Sequence, residues 1–135
     1  MNKDEIIKKV KSLKLKEGSY VVFGSGPMAA AGIRNANDID LYVTTEVLES
    51  LKNQGWKMQI KGPGDNPLTF DCFEAHDNWN FSSYSPTLDK LLRNAITIEG
   101  VSFASLEDVR KWKTDSDNPK YVTDVKLIDE YLSKK

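Results

Sequence analysis

The sequence has little of several features that would narrow its class. It contains one cysteine, one histidine and no appreciable excess of either charge, with 19 Lys and Arg against 20 Asp and Glu. A single cysteine excludes an internal disulfide, and a single histidine lacks partners for a zinc cluster. Since there is no basic surplus, we do not expect bulk binding to nucleic acid.

Long hydrophobic runs are also missing. No apolar run reaches the length of a membrane span, and the N-terminal stretch lacks the continuous apolar core of a secretory signal. We therefore expect a cytoplasmic protein with no membrane partner. At 135 residues, 39% of them apolar and 29% charged, the chain has the size and composition of a single globular domain spanning residues 1–135.

What is present centres on residues 20–43. The apolar run Tyr20–Phe23 leads into Gly24-Ser25-Gly26, and a second apolar segment carries Asp38 and Asp40. This pattern predicts a strand, a glycine turn, a short helix and a second strand. The turn offers backbone amides to an anion, and strand alternation places both aspartates on one face, where two carboxylates favour a divalent cation. The stretch therefore predicts a site for a metal–nucleoside triphosphate.

The remaining patterns predict an α/β (α+β) domain with a mixed, largely antiparallel sheet and flanking helices packed on one side of it. Asp71 lies in the middle of a strand predicted over residues 68–73, and the polar, aromatic stretch 74–85 is predicted to be a loop. Further strands are predicted over 56–61 and in a hairpin over 96–103, and helices over 3–15, from Thr44 or Thr45 to Gly55, from Ser85-Pro86, from Ser105 and from Asn118-Pro119.

Other families use similar motifs, and the context argues against them. Gly24-Ser25-Gly26 followed by Ala29 satisfies the dinucleotide fingerprint formally, but the polar run 35–37 ends any helix too early for that fold. No Gly-Lys-Ser/Thr follows, as a Walker loop requires. Aspartyl-phosphate phosphatases place an apolar strand before the first aspartate, whereas polar residues precede Asp38. A plain tight turn would also explain the glycines alone.

The combination is more specific. Phe23-Gly24-Ser25, twelve intervening residues and Asp38-Ile39-Asp40-Leu41 resemble the signature of the nucleotidyltransferase superfamily typified by DNA polymerase beta, in its small stand-alone bacterial members. That family expects a third carboxylate on a later strand, and Asp71 falls where it would lie. The resemblance implies a nucleotidyltransferase-like fold over most of residues 20–130.

The resemblance also implies roles. Ser25 and the amides of Gly24 and Gly26 would hold the β- and γ-phosphates. Asp38 and Asp40 would ligate the metal, and Asp71 would complete a two-metal site or accept a proton from the acceptor. Such oxygen ligands favour Mg²⁺ or Mn²⁺ over zinc. The implied reaction moves an NMP from ATP or another NTP to a hydroxyl of a small molecule, a protein or an RNA end.

Basic residues and one proline add detail. Arg34, Lys61 and Lys113 are the candidate cations for the phosphates, although each taken singly is also typical of surface charge. Pro27 removes an amide donor from the turn, and we expect no sizeable acceptor-binding domain. These two features favour a second hypothesis, a catalytically inactive domain of the same fold that binds nucleotide or a protein partner.

Two weaker features lie between residues 76 and 84. We expect His76 to be a solvated loop histidine. Trp79, Phe81 and Tyr84 form either loop packing or a platform for base stacking, and packing is the favoured interpretation.

Overall fold

The computed structural model describes residues 1–116 and 118–134. Within them the chain forms six α-helices, one 3₁₀-helix and one seven-stranded sheet, which is the predicted mixed class. None of the described helices has the length and apolar character needed to cross a membrane. In chain order the elements are α1 Lys3–Ser12, β1 Tyr20–Phe23, α2 Gly26–Ala30, β2 Ile39–Val43, α3 Thr45–Asn53, β3 Lys57–Met58, β4 Leu68–Phe70, β5 Phe73–His76, α4 Leu88–Asn94, β6 Ile96–Ile98, β7 Val101–Phe103, α5 Leu106–Asp115, the 3₁₀-helix Pro119–Tyr121 and α6 Val122–Ser133.

The sheet has the strand order β3-β4-β5-β2-β1-β7-β6. Its centre is mixed, because β2 runs antiparallel to β1 but parallel to β5, and β1 runs parallel to β7. The outer pairings, β3 with β4, β4 with β5 and β6 with β7, are antiparallel. The prediction of a mixed, largely antiparallel sheet is therefore confirmed.

Helices cover both faces of this sheet, so the expectation of helices on one side is wrong. Alternate side chains of β1 enter two separate cores. Val22 packs into the core that includes Ile6 of α1 and Leu51 of α3, whereas Phe23 packs into the core that includes Ile128 of α6. Val22 and Phe23 point to opposite faces and are each 0% exposed, so β1 is buried on both faces.

The predicted strand over residues 68–73 is two strands in the structure. β4 ends at Phe70, Asp71 adopts a left-handed backbone with φ of +53°, and β5 begins at Phe73. The apolar residues on both sides of Asp71 concealed this turn. β5 then continues to His76, where the sequence predicted a loop. This shift changes which acidic side chains face the predicted metal site.

Helix caps account for most of the remaining boundaries. The Thr44 hydroxyl accepts from the Val47 amide at the start of α3, so Thr44, one of the two predicted candidates, is the cap. The cap of α4 is Thr87, two residues after the predicted Ser85. The region predicted as strand 56–61 contributes only β3, Lys57–Met58, because its pairing with β4 is short.

Candidate active site

The glycine turn lies directly against Asp40 of β2. Gly24 has a φ of +66°, and a Cβ at this position would lie 2.1 Å from Oδ2 of Asp40. A side chain at residue 24 would therefore displace the Asp40 carboxylate. Ser25 follows the turn and occupies the N-cap position of α2.

Three carboxylates converge beside this turn. Asp38, Asp40 and Glu74, called here the acidic group, each place an oxygen within 4.8 Å of the others. Asp40 and Glu74 are register partners on the parallel strands β2 and β5. Asp38 immediately precedes β2, and its carboxylate reaches the same site as those of Asp40 and Glu74.

Asp71, which the resemblance nominated as the third acid, lies outside the acidic group. It occupies the turn between β4 and β5 and is exposed. Its Oδ2 forms an ion pair with Lys9 Nζ at a distance of 3.0 Å. Glu74 takes its place beside the two aspartates. The sequence interpretation missed Glu74, although the alternation Phe73-Glu74-Ala75-His76 carried the signal for a strand with two polar side chains on one face.

Burial and mutual repulsion disfavour negative charge on two carboxylates of the acidic group, Asp40 and Glu74. Burial, together with the charges of Asp38 and Glu74, raises the pKa of Asp40 well above its usual range. Burial also raises the pKa of Glu74, an effect opposed by its ion pair with Lys61 and reinforced by Asp38. A divalent cation would relieve this repulsion, and the all-oxygen donor set suits Mg²⁺ or Mn²⁺.

The predicted phosphate cations Arg34 and Lys113 lie beside Ser25 and share one buried partner, Asp124. Arg34 Nε and Nη2 donate to the two Asp124 oxygens at 2.8 and 2.9 Å, and Lys113 Nζ donates to Oδ2 at 2.9 Å. The Ser25 hydroxyl accepts from Arg34 Nη2 at 2.8 Å and from Lys113 Nζ at 3.3 Å. Arg34, Lys113 and Asp124 are called here the Asp124 cluster.

Burial decides the direction of the pKa shift for Lys113 but not for Asp124. Burial lowers the pKa of the Lys113 amine, although Asp124 opposes this shift. For Asp124 burial works to raise the pKa, but the hydrogen bonds from Arg34 and Lys113 outweigh it and lower the value. The structure thus brings Ser25, Arg34 and Lys113 together, with both cations already paired.

The acidic group and the Asp124 cluster line one cavity of about 370 Å³, with aromatic side chains on its wall. Trp79 is 1% exposed and packs against Phe23 at a centroid distance of 4.8 Å, so its role is packing, as favoured. Tyr84 donates to Asp108 and is not among the lining residues. Phe81 and Tyr121 are half-buried and line the cavity.

His76 is not the solvated residue that the sequence predicted. Its side chain is 9% exposed, and its Nε2 lies 2.9 Å from Oδ1 of Asp65. Burial lowers the pKa of His76 against the opposing effect of Asp65. Its Nδ1 has no hydrogen-bond partner within the described residues, nor does Nε1 of the neighbouring Trp79. The contact between His76 and Asp65 fixes the loop that carries Asp65 against β5.

Comparison of the chain with protein-family models, with curated proteins and with solved structures found no match. The resemblance to the nucleotidyltransferase superfamily therefore stays a prediction, and the arguments for function come from the site itself.

Proposed function

We propose that this chain is a nucleotidyltransferase of the DNA polymerase beta type, which moves an NMP from an NTP to an acceptor hydroxyl with Mg²⁺ or Mn²⁺ as cofactor. The observation that carries the proposal is the convergence of the acidic group beside the Gly24-Ser25 turn, in a cavity whose other wall carries Arg34 and Lys113. We place the enzyme in the cytoplasm, because a reducing compartment keeps a cysteine thiol free.

The acidic group would hold the divalent cation. Its three carboxylates are hard oxygen donors. The Lys61 ammonium, which is paired with Glu74, already places one positive charge beside them. When bound, the cation supplies electrostatic stabilisation of the oxygens that gain charge during in-line transfer.

The wall around Ser25 would bind the phosphates of the nucleotide. Arg34 and Lys113 supply positive charge, and the Ser25 hydroxyl lies between them. The amides of Met28 and Ala29 already donate to the Ser25 carbonyl, and a proline follows Gly26. Of the three turn residues, Ser25 lines the cavity whereas Gly24 and Gly26 are buried, so the Ser25 hydroxyl and the two side-chain cations would carry most of the phosphate binding.

Glu74 is our candidate for the group that accepts the proton of the acceptor hydroxyl. It takes the place beside Asp38 and Asp40 that the resemblance gave to Asp71, and it would either complete the metal site or accept that proton. The acceptor itself belongs to one of three classes, a small molecule, a protein side chain or an RNA end.

The test compares two acids that lie three positions apart in sequence but differ in placement. The Glu74→Gln variant should lose about 100-fold or more in rate, whereas Asp71→Asn should retain full activity, because Asp71 lies outside the acidic group. The assay follows label from α-phosphate-labelled ATP, GTP, CTP or UTP, with Mg²⁺, into small-molecule, protein and RNA fractions. Equal losses in the two variants, or a loss in Asp71→Asn alone, would contradict the proposal.

A second candidate is an inactive domain that binds nucleotide or a protein partner. It is favoured by the pairing of both phosphate cations with Asp124, which leaves them less free to engage a substrate. In that case Mg²⁺ with ATP would raise the melting temperature, by about 4 °C at tenfold excess over Kd, and no fraction would acquire label. The Asp38→Asn/Asp40→Asn double variant should abolish the temperature shift under either candidate.

A further inference from the structure

A lysine occupies the neighbourhood that we assign to the metal. Lys61 Nζ lies 2.5 Å from Oε1 of Glu74, and Lys61 lines the same cavity as Asp38 and Asp40. The Lys61 side chain is 37% exposed, whereas that of Glu74 is 12% exposed. The ammonium therefore approaches the acidic group from the solvent side and neutralises part of its charge.

The loop that carries Lys61 is held close to β5 at two points. Residues 61–65 form a tight turn, in which the Lys61 amide donates to the Asp65 carbonyl at 2.9 Å and the Asp65 amide donates to the Gly62 carbonyl at 3.0 Å. Lys61 contacts Glu74, and Asp65 contacts His76, two positions further along the same strand. Because the Asp65 contact is independent of Glu74, it holds Lys61 within reach when the Lys61 ion pair opens.

We propose that Lys61 competes with the divalent cation for the acidic group and thereby sets its metal affinity. This inference rests on the proposed function, because it takes the acidic group to be the metal site. An ammonium and a divalent cation held by the same Glu74 carboxylate lie a few ångströms apart, and their like charges repel. Metal binding therefore favours opening of the Lys61–Glu74 ion pair, and the free energy spent on that opening is subtracted from the binding free energy.

The experiment uses Mn²⁺ alone as the probe, titrated against the full chain by electron paramagnetic resonance. Lys61→Met should lower the Kd for Mn²⁺ about fivefold, the factor expected when a partly exposed ion pair is removed as a competitor. Lys57→Met is the matched control, since it removes the same charge from an exposed position on the edge strand β3. The titrations are run at about 0.15 M salt, where the Debye length is about 8 Å and more distant charges are largely screened.

The possible outcomes separate this inference from the proposed function. A tighter Kd in Lys61→Met, with no change in Lys57→Met, supports the competition. An unchanged or weaker Kd in Lys61→Met, or equal tightening in both variants, overturns it and leaves the metal site intact. Absence of Mn²⁺ binding in all three proteins overturns both the competition and the proposed metal site.

A second measurement needs no substitution. The ammonium protons of Lys61, followed by nuclear magnetic resonance, should exchange with solvent faster when Mg²⁺ saturates the protein, because the ion pair that protects them has opened. Exchange that stays unchanged at saturating Mg²⁺ would overturn the competition.

Discussion

The Asp124 cluster and the acidic group, the two charged regions of the cavity, differ in how their carboxylates are paired with cations. In the Asp124 cluster, one carboxylate that is 6% exposed accepts hydrogen bonds from two cations, so its charge is neutralised within the chain. In the acidic group, three carboxylates converge with one ion-paired lysine among them. Removal of one partner from the first arrangement would leave a buried charge unpaired. The second costs stability, a pattern typical of groups retained for a ligand.

The largest expected effect comes from breaking the balanced region. Asp124→Asn should lower the free energy of unfolding by about 3 kcal/mol, because Lys113, which is 2% exposed, loses its carboxylate partner. Urea denaturation at pH 7 measures this change. Asp129→Asn is the control, because it breaks an exposed pair with Arg110 and should leave the midpoint unchanged.

The same substitution has a pH signature. The pKa of Asp124 is lowered in the folded state from its ordinary value of 3.8, so the unfolded chain binds the proton more tightly. The contribution of Asp124 is therefore present above pH 3.8 and is lost as the pH falls through the folded pKa. The stability difference between the wild type and Asp124→Asn should shrink over that range, and a difference independent of pH would contradict this assignment.

A second comparison tests the contact between the glycine turn and the acidic group. Gly24→Ala should destabilise the protein by about 2 kcal/mol, because it combines a positive φ with a clash against Asp40. Gly18→Ala shares the positive φ, +84°, but a Cβ there meets nothing within 4 Å. Thermal unfolding should therefore show a smaller loss in Gly18→Ala. Equal losses would mean that the Asp40 contact contributes nothing beyond backbone strain.

The smallest effect concerns the acidic group without metal. Asp40→Asn should raise the free energy of unfolding by about 1 kcal/mol at pH 7 in a chelator, because it removes one repelling charge. The pKa of Asp40 is raised above 3.8 in the folded state, so the folded chain binds the proton more tightly. The contribution of Asp40 to stability should then fall as the pH rises from 3.8 through its folded pKa. The decline in Asp40→Asn should be smaller than in the wild type, and Glu74, whose pKa is also raised, would account for what remains.

Asp71→Asn is the control for that experiment, since Asp71 is paired with Lys9 outside the acidic group. It should show no gain at pH 7. A gain in Asp71→Asn equal to that in Asp40→Asn would indicate a general effect of negative charge and not repulsion within the group.

The sequence was informative where local spacing decides the structure. The strand–turn–helix–strand order over residues 20–43 followed from the placement of apolar runs and glycines, and the shared face of Asp38 and Asp40 followed from strand alternation. Ser105 was identified as a cap, and Thr44 as one of two candidates with Thr45, for the same reason, since a cap hydrogen bond spans only three residues.

The sequence was uninformative where a turn or a distant contact decides. Nothing in the run 68–73 shows that Asp71 adopts a left-handed backbone, and that one residue determines whether Asp71 or Glu74 joins the acidic group. The pairing of Arg34 with Asp124 joins residues 90 positions apart. Such a contact depends on how α6 packs on the sheet, which no local pattern encodes.

The parallel pairing of β2 with β5 also bears on the order in which the chain folds. The β6–β7 hairpin closes through the turn Glu99-Gly100, whose residues both have positive φ, so it needs only local contacts. Docking β5 beside β2 instead requires a long loop to close, which is entropically costly and slow. The three carboxylates therefore converge through a non-local strand pairing, and the acidic group would assemble later than the β6–β7 hairpin.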